Sequence, residues 1–526
     1  MKDSRAIPRL VAWLIIILGM LACRAGFLED VIYNIDEAEY AVAADALDHG
    51  WLPGVDLLGS TKPPGIAVLF NLLFHIFGRS MAVIHVAHVI LMIGAGILLV
   101  ELAIALWSAT AAVPAALLFW MVLNSFNLPH EIIALNVESP GILLILGAFL
   151  LVWAPSRSRW RILLGGILAG AAILFRQSLG AFLLPLIFLV GKDSNRPLRG
   201  IVVLLAGVCL PWLPVFVVYA QAGALAWTWD SWVRYPITYS SDTGILGFLD
   251  ALYLNLTDFA TQATIPLAAA IGGGIVVWRS PKDRGRSFLF WMTLASVLAL
   301  FSGSRFFGHY WIQIYPVLAL LGVPAWFTLW RGTRIYRLLL VGAIAIGGLV
   351  ATLHFPTWRL WDHYAPPRGV AFFHLGKESL EIKTAEFVRA NTEPDETIVV
   401  WGYCPQIYYH ADRLPGVRDY LCQYITGYSP GSFDPFSQRA PRSCGHIRAE
   451  EMFVEDLERR RPKYVFDLVQ VYDYTFPFIK YSIRSYPMLA DYMRRRYLPE
   501  GRIGDVLVYR RRTPADTWWP SQEDVK

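Results

Sequence analysis

Two adjacent carboxylates, Asp36 and Glu37, are followed by Lys62 directly before Pro63-Pro64, then by Glu138, and far along the chain by Arg305, His309 and Tyr310. Side chains of these types do complementary work when they meet. A carboxylate takes the proton from an attacking hydroxyl. Lysine and arginine neutralise a leaving group that departs as an anion and needs cations more than a general acid. Each residue also has an ordinary reading. Asp36 could merely cap a helix, and Glu138, before Ser139-Pro140, could complement a helix dipole. Lys62 could snorkel at an interface, and Arg305 could pair with a lipid headgroup. His85 and His88 stand three apart with no third ligand nearby, so they do not read as a metal motif. Glu101 reads as solvated, near the cytoplasmic end of its span. Arg176 interrupts an apolar stretch, where charge is costly and often functional; it could equally mark a loop.

The elements that must position these residues are membrane helices. The chain has 526 residues, 56% hydrophobic and only 17% charged, with mean hydropathy +0.45. A soluble domain carries nearer a quarter charged residues. Aromatics reach 14%, with 20 Trp, as interfacial belts require. The net charge of +5 is modest and confined to short loops, which excludes a nucleic-acid partner and points to topology signals.

Apolar runs lie at 10–28, 64–78, 81–107, 111–126, 139–154, 162–175, 179–191, 200–220, 259–278, 287–303, 310–330 and 336–353. Basic residues mark cytoplasmic loops at Arg157–Arg161, Lys192–Arg199, Arg279–Arg286 and Arg331–Arg337. They put 29–60, 127–138, 221–258, 304–309 and everything after about 354 outside. Parity then excludes one crossing. The run 64–78, opening on Pro63-Pro64-Gly65, is too short to span comfortably and reads as re-entrant or interfacial. About eleven spans remain, counting 162–175 and 179–191 as two. The basic N-terminus followed by 10–28 reads as a first span rather than a signal peptide.

Within the first outer loop, Asn34 and Glu37 have capping-box spacing, and Tyr40, Ala44, Leu47 and Trp51 share one helical face. This predicts an amphipathic helix lying on the membrane. After about residue 380 the long apolar runs stop. Strands are expected at Thr397–Trp401, Tyr464–Val469 and Val506–Tyr509, helices at Lys383–Ala390 and Ala449–Arg461, and loop over 423–447. The fold expected is a polytopic α-helical membrane domain over residues 1–355 and a soluble extracytoplasmic α/β domain over 356–526. Cys23 and Cys209, inside apolar runs, read as inert core residues, while Cys404, Cys422 and Cys444 could supply one disulfide in an oxidising compartment. Trp401, Tyr403, Tyr408 and Tyr409, near a strand end, could shape an acceptor surface or belong to a core.

The candidate residues cluster at one membrane depth on the outer face, and the chemistry that suits them is glycosyl transfer from a lipid phosphate. One carboxylate base and one or two cations suffice for it, whereas a glycoside hydrolase divides acid and base work between two carboxyl groups. The order Asp36-Glu37, Lys62-Pro63-Pro64, outer Glu138, then Arg305-Phe306-Phe307-Gly308-His309-Tyr310 resembles the polyprenyl-phosphate-dependent multi-spanning glycosyltransferases of GT-C type. This group contains the protein O-mannosyltransferases and the lipid A aminoarabinose transferase. The resemblance covers residues 1 to about 355 in layout. It implies Asp36 as catalytic base, with Glu37 its acidic neighbour and Glu138 in the place of a second acid that is often Asp. It implies Lys62, Arg305, His309 and Tyr310 around the donor phosphate. The implied partners are a polyprenyl-phosphate-sugar donor, a lipid, glycan or protein acceptor, and the bacterial inner membrane. No cofactor is implied; a divalent metal fits the chemistry, but no clear DxD motif is present. The alternative is a lipid or polysaccharide flippase, which would bury charge at mid-bilayer and repeat its halves.

Overall fold

Apolar runs fold as helices wherever the surrounding solvent is hydrocarbon, because only a helix or a closed barrel satisfies its own backbone there. In the computed structural model these runs become helices, and many are apolar on the side they expose. The structure describes residues 6–59, 62–124, 130–154, 158–192, 196–241, 244–364, 380–427, 446, 448–468, 481–514 and 516, with the side chains of 355–364 left aside. Two compact units emerge: Met1–Tyr40 with Thr61–Pro366, and Ala41–Ser60 with Pro367–Lys526.

The first unit begins with α1 (Ala6–Arg24), the start of α2 (Ile35–Asp48), α3 (Gly65–Phe77), α4 (Met81–Leu106), α5 (Ala112–Leu123), α6 (His130–Ile133), α7 (Glu138–Trp153) and α8 (Arg159–Phe175). It continues with α9 (Leu183–Lys192), α10 (Pro197–Cys209), α11 (Trp212–Gln221), α12 (Leu225–Trp229), α13 (Tyr235–Ser241), α14 (Gly244–Gln262), α15 (Thr264–Arg279), α16 (Arg284–Phe301), α17 (Tyr315–Arg331) and α18 (Arg334–Tyr364). A 3-10 turn, Gly308–Gln313, precedes α17. Among the described residues, α1 extended to Phe27, α4, and α18 to His354 are each long and apolar enough to cross a membrane. The pairs α10–α11, bent by 47°, and α14–α15, bent by 94°, bring the number to five. By length and composition, then, the described helices do not account for all the crossings expected. The segment read as re-entrant is the 13-residue α3, roughly 20 Å long against roughly 30 Å of hydrocarbon. Leu338, Leu339 and Ile346 on α18 and Leu198 and Val202 on α10 point outward, an apolar surface suited to lipid.

Close approach of helices replaces hydrophobic segregation as the source of packing specificity in such a bundle. On α8, Gly166 and Gly170 lie against α10: a Cβ at Gly170 would stand 2.2 Å from the Val208 carbonyl oxygen. A Cβ on Gly65, the first residue of α3, would stand 2.6 Å from the carbonyl oxygen of Leu174. This contact presses the Lys62-Pro63-Pro64 segment onto the end of α8, just before Arg176. Cys23 is buried on α1, while Cys209 lies on the exposed surface of α10 instead of in a core.

The second unit holds α19 (Leu380–Asn391), α20 (Pro405–Ala411), α21 (Gln423–Thr426), α22 (Ala449–Arg460) and α23 (Pro487–Arg496) around a four-stranded sheet. Its strands are β1 (Ile398–Trp401), β2 (Tyr464–Asp467), β3 (Tyr497–Ile503) and β4 (Val506–Arg511), in the order β1-β2-β4-β3. The β1–β2 pair is parallel and the other two are antiparallel. β3 is the strand that hydropathy misses. Pro499, Glu500, Gly501 and Arg502 weaken its pattern, but it is an edge strand with a bulge at Pro499/Gly501, where such residues are tolerated. Gly504, at φ +56°, makes the tight turn into β4. Of the expected loop 423–447, α21 is helical and 428–445 lies outside the described residues.

Residues 41–60 count with this unit, not with the membrane helices. Leu58 N–H donates to the Arg418 carbonyl at 2.7 Å, and Arg460 stacks on Trp51 at 3.9 Å. The α2 helix is buried along most of its length, Tyr40, Ala41, Ala44 and Ala46 included, so it does not lie amphipathically on a membrane. The aromatics considered for an acceptor surface belong to the core instead. Trp401 is fully buried with Nε1–H donating to Tyr481 O at 2.9 Å, Tyr408 accepts the Val400 N–H at 2.8 Å, and Tyr403 and Tyr409 are buried beside them. Cys404 and Cys422 are buried free thiols, and Cys444 lies outside the described residues.

Replacing Gly65 by Ala forces its new Cβ against backbone that cannot rotate away. The expected outcome is a loss of about 1–3 kcal/mol, read as a lowered midpoint in thermal unfolding of the purified protein in detergent.

Candidate active site

The first turn of α2 decides what Asp36 is for. Asn34, not Asp36, is the cap: its Oδ1 accepts the Asp36 N–H at 2.9 Å. The other half of the expected capping box is also present in altered form, with Glu37 Oε2 accepting the N–H of Tyr33 at 3.1 Å. Asp36 is therefore released from backbone duty. Tyr40 Oη donates to its Oδ2 at 3.2 Å, Lys62 Nζ lies 3.3 Å from the same oxygen, and His309 Nε2 lies 4.0 Å away. Lys62 also faces Glu39 at 3.9 Å and the Tyr40 ring at 5.0 Å. Pro63 and Pro64 fix the backbone that presents it.

Glu37 points the other way and is fully buried. Its Oε1 accepts the Leu135 N–H at 2.9 Å and faces His85 Nε2 at 3.3 Å, while His85 Nδ1 faces the Glu29 carbonyl at 2.9 Å. His88 donates from Nδ1 to the Ile133 carbonyl at 2.7 Å and meets Ser139 Oγ at 3.0 Å. His88 thus staples α4 to the segment 130–139, while His85 ties α4 to Glu29 and to Glu37 at the start of α2. Glu37 holds the start of α2 in place; the described geometry gives it that positioning task and leaves Asp36 facing the cations.

The segment 130–138 contributes an acid that sequence reasoning missed. Glu131 Oε2 lies 2.5 Å from His309 Nδ1 and accepts the His309 backbone N–H at 3.3 Å. Its other oxygen faces His130 Nε2 at 3.4 Å. Glu138, the acid singled out from sequence, is fully buried at the start of α7 and ion-pairs with Arg176. Arg176, the charge interrupting an apolar stretch, also stacks on the Tyr310 ring at 3.8 Å and donates from Nε to Ser178 Oγ at 3.0 Å. Ser178 continues to Gln313 Oε1 at 2.8 Å. The segment 305–310 divides. His309 and Tyr310 join the Asp36 group, whereas Arg305 donates from Nη2 to Tyr239 O at 3.1 Å and stacks on the Tyr239 ring of α13. Ser304 and Phe306, on either side of Arg305, both hold φ of 54°, a strained conformation that non-glycine residues keep only where the surroundings impose it.

Charge sets the protonation states. Burial pushes the Asp36 carboxyl up, but Lys62 and His309 outweigh it and hold it below the ordinary carboxylate value. Burial likewise opposes the charge on His309, but Glu138, Glu131 and Asp36 raise it above the ordinary imidazole value. Against the same cost of burial, Asp36 and Glu39 raise Lys62. These shifts favour an ionised Asp36 beside the charged forms of Lys62 and His309. Asp36 and Lys62, at 15% and 16% side-chain exposure, are its open edge, and His309 at 6% is further in. Among the described residues no three His, Cys, Asp or Glu side chains group as a metal site. The acids here face Lys62, His309 and Arg176, so their charge is already countered by protein groups.

Residues 61–220 match the family described as dolichyl-phosphate-mannose-protein mannosyltransferase. The whole chain shares its fold with ArnT from Cupriavidus metallidurans bound to undecaprenyl phosphate, at TM-score 0.57 and 14% identity, over 97% of each chain. The oligosaccharyltransferase of Archaeoglobus fulgidus tethered to an acceptor peptide matches at TM-score 0.55 and 14% identity, over 93% of this chain and 72% of that one. The archaeal oligosaccharyltransferase AglB from the same organism, in complex with an inhibitory peptide and a dolichol-phosphate, matches at TM-score 0.52 and 13% identity, over 96% and 74%. No curated protein sequence matches the chain. The resemblance to the GT-C membrane glycosyltransferases thus holds at the level of fold, and the flippase alternative finds no support among these relatives.

The two adjacent acids should separate in mutagenesis. Glu37→Ala orphans His85 and two backbone N–H groups in a buried setting and should cost about 3–5 kcal/mol. Asp36→Asn, at the open edge, should unfold within a few degrees of wild type. Thermal unfolding of both variants in detergent reads the difference.

Proposed function

We propose that this chain is a membrane glycosyltransferase that moves a sugar from a polyprenyl-phosphate donor to an acceptor hydroxyl at the outer face of a cytoplasmic membrane. The observation that carries the reading is Asp36: ionised, excused from capping by Asn34, and set against Lys62 and His309 at the open edge of a buried charge cluster. A fold shared with proteins solved with undecaprenyl phosphate and dolichol-phosphate supports the donor class. The basic loops support the sidedness, with residues 356–526 on the same side as the site.

In this reading the acceptor O–H hydrogen-bonds to Asp36 Oδ1, the oxygen opposite the one held by Tyr40 and Lys62. Its oxygen attacks the anomeric carbon as the C–O bond to phosphate breaks. The proton passes to Asp36 and the bonding electrons leave with the phosphate. Lys62 and His309 neutralise that phosphate as its charge grows, which counts for more in a water-poor site than in bulk water. Tyr310, held by Arg176, lines the same place, and Glu138 and Glu131 favour the charged form of His309. Glu138 acts through Arg176, Glu37 through the start of α2, and Arg305 through the strained segment that carries His309 and Tyr310. Lipid, glycan and protein hydroxyls all fit this chemistry as acceptors.

Sugar release from radiolabelled polyprenyl-phosphate-sugar donors by purified protein tests the assignment. Asp36→Asn should reduce turnover by about 10²–10⁴-fold. Equal turnover in the two proteins would move the base away from Asp36. The pH dependence gives a second test. His309 is charged below its raised value and loses that charge as pH climbs through it, so donor KM should rise on the alkaline side with a midpoint above about 6.5. Removing a carboxylate that holds the proton, by Glu131→Gln, should move that midpoint down. A donor KM that is flat from about pH 6 to 9 would remove His309 from phosphate binding.

A further inference from the structure

We infer that the membrane unit carries a second lipid site, for an anionic phospholipid, at the end of the bundle opposite Asp36. The inference rests on the membrane setting alone and not on the proposed transfer reaction. Three cavities lie side by side along the helices, each sharing wall residues with the next. A cavity of about 390 Å³ between α5, α15, α17 and α18 is walled almost wholly by apolar side chains such as Leu118, Trp326 and Ile344. A second, of about 590 Å³, shares Met121, Ile265 and Ala343 with it and follows α18 to Val350. A third, of about 370 Å³, shares Val276 and Thr328 with the first and ends among Ser280, Asp283, Arg286 and Arg331.

The polar end is far from the candidate active site. Leu106 and Trp107, at the end of α4, line the third cavity, while His85 near the start of α4 faces Glu37. The two places are roughly 30 Å apart along that helix. A track lined by hydrocarbon offers water no partners and takes a hydrocarbon chain. Thr261, Gln262 and Thr264 line the other end, but of the three cavities only the third is lined by cations, so an anionic headgroup belongs by Arg286 and Arg331.

The charge there is of one sign. Arg279, Lys282, Arg284, Arg286, Arg331, Arg334 and Arg337 crowd the two adjoining turns, with Asp283 the acid among them. The Asp283 carboxylate is already engaged, accepting the Arg286 N–H at 2.7 Å as the cap of α16. Basic pockets between membrane helices select acidic headgroups.

Native mass spectrometry of the delipidated full chain, titrated with phosphatidylglycerol or with phosphatidylcholine of the same acyl chains, tests this without any variant. Phosphatidylglycerol should bind about tenfold more tightly, and Arg286→Ala with Arg331→Ala should abolish the preference. Gly272→Leu should weaken both lipids by filling the track, because a Cβ at Gly272 meets nothing nearer than Ala325 Cβ at 3.7 Å. Equal affinity of wild type for the two phospholipids overturns the proposal. So does binding of polyprenyl phosphate that competes with phosphatidylglycerol and is lost in Gly272→Leu, which would give the track to the donor chain. A null effect of Asp36→Asn on sugar release would leave this result untouched.

Discussion

Everything in the candidate site follows from one hydrogen bond, between Asn34 Oδ1 and the Asp36 N–H. A helix start leaves backbone donors without partners, and the nearest short polar side chain normally satisfies them. Had Asp36 taken that task, its charge would have been spent on the backbone of its own helix. With Asn34 in that place and Glu37 tied to Tyr33, Leu135 and His85, Asp36 is turned toward Lys62 and His309. Of two neighbouring carboxylates, one thus anchors the backbone and the other faces the cations.

Burying so many ionised groups is expensive unless each finds an opposite charge. Here the pairs are drawn from distant parts of the chain: Asp36 with Lys62, Glu131 with His309, Glu138 with Arg176. The side chains cannot form these pairs until α2, α3, α7, α8 and the turn before α17 have packed. Folding of the bundle and completion of the charge cluster are therefore one event, and the cluster also helps fix the helices around it.

Some of this was readable in the residues alone. The apolar runs mark the helices, and the sidedness of Asp36, Lys62, Glu138 and His309 brings them to one level. Arg176 stood out because a charge in an apolar stretch needs a reason, and the reason is Glu138 and Tyr310. Glu131 had no such signal. It is an acid in the four-residue helix α6, ordinary until His309 arrives from far along the chain. The roles of Asp36 and Glu37 could not be told apart by type or spacing, since which of them is free depends on the side chain that wins the cap. Trp401 and Tyr408 show the same limit from the other side, because an aromatic near a strand end is written identically whether it faces a substrate or a core. The edge strand β3 escaped because an edge asks little of hydropathy.

The seat of Gly65 against Leu174 has a consequence for how such a site tolerates sequence drift. One side of the contact is a missing side chain, which a single residue type supplies. The other is a main-chain carbonyl, which every residue supplies alike. The constraint is lopsided: position 65 is fixed, while position 174 can change its side chain without disturbing how Lys62 is seated. Contacts built this way let most of a helical bundle be rewritten around an unmoved constellation of charges. A bundle seated by such contacts can keep its fold while most of its side chains change.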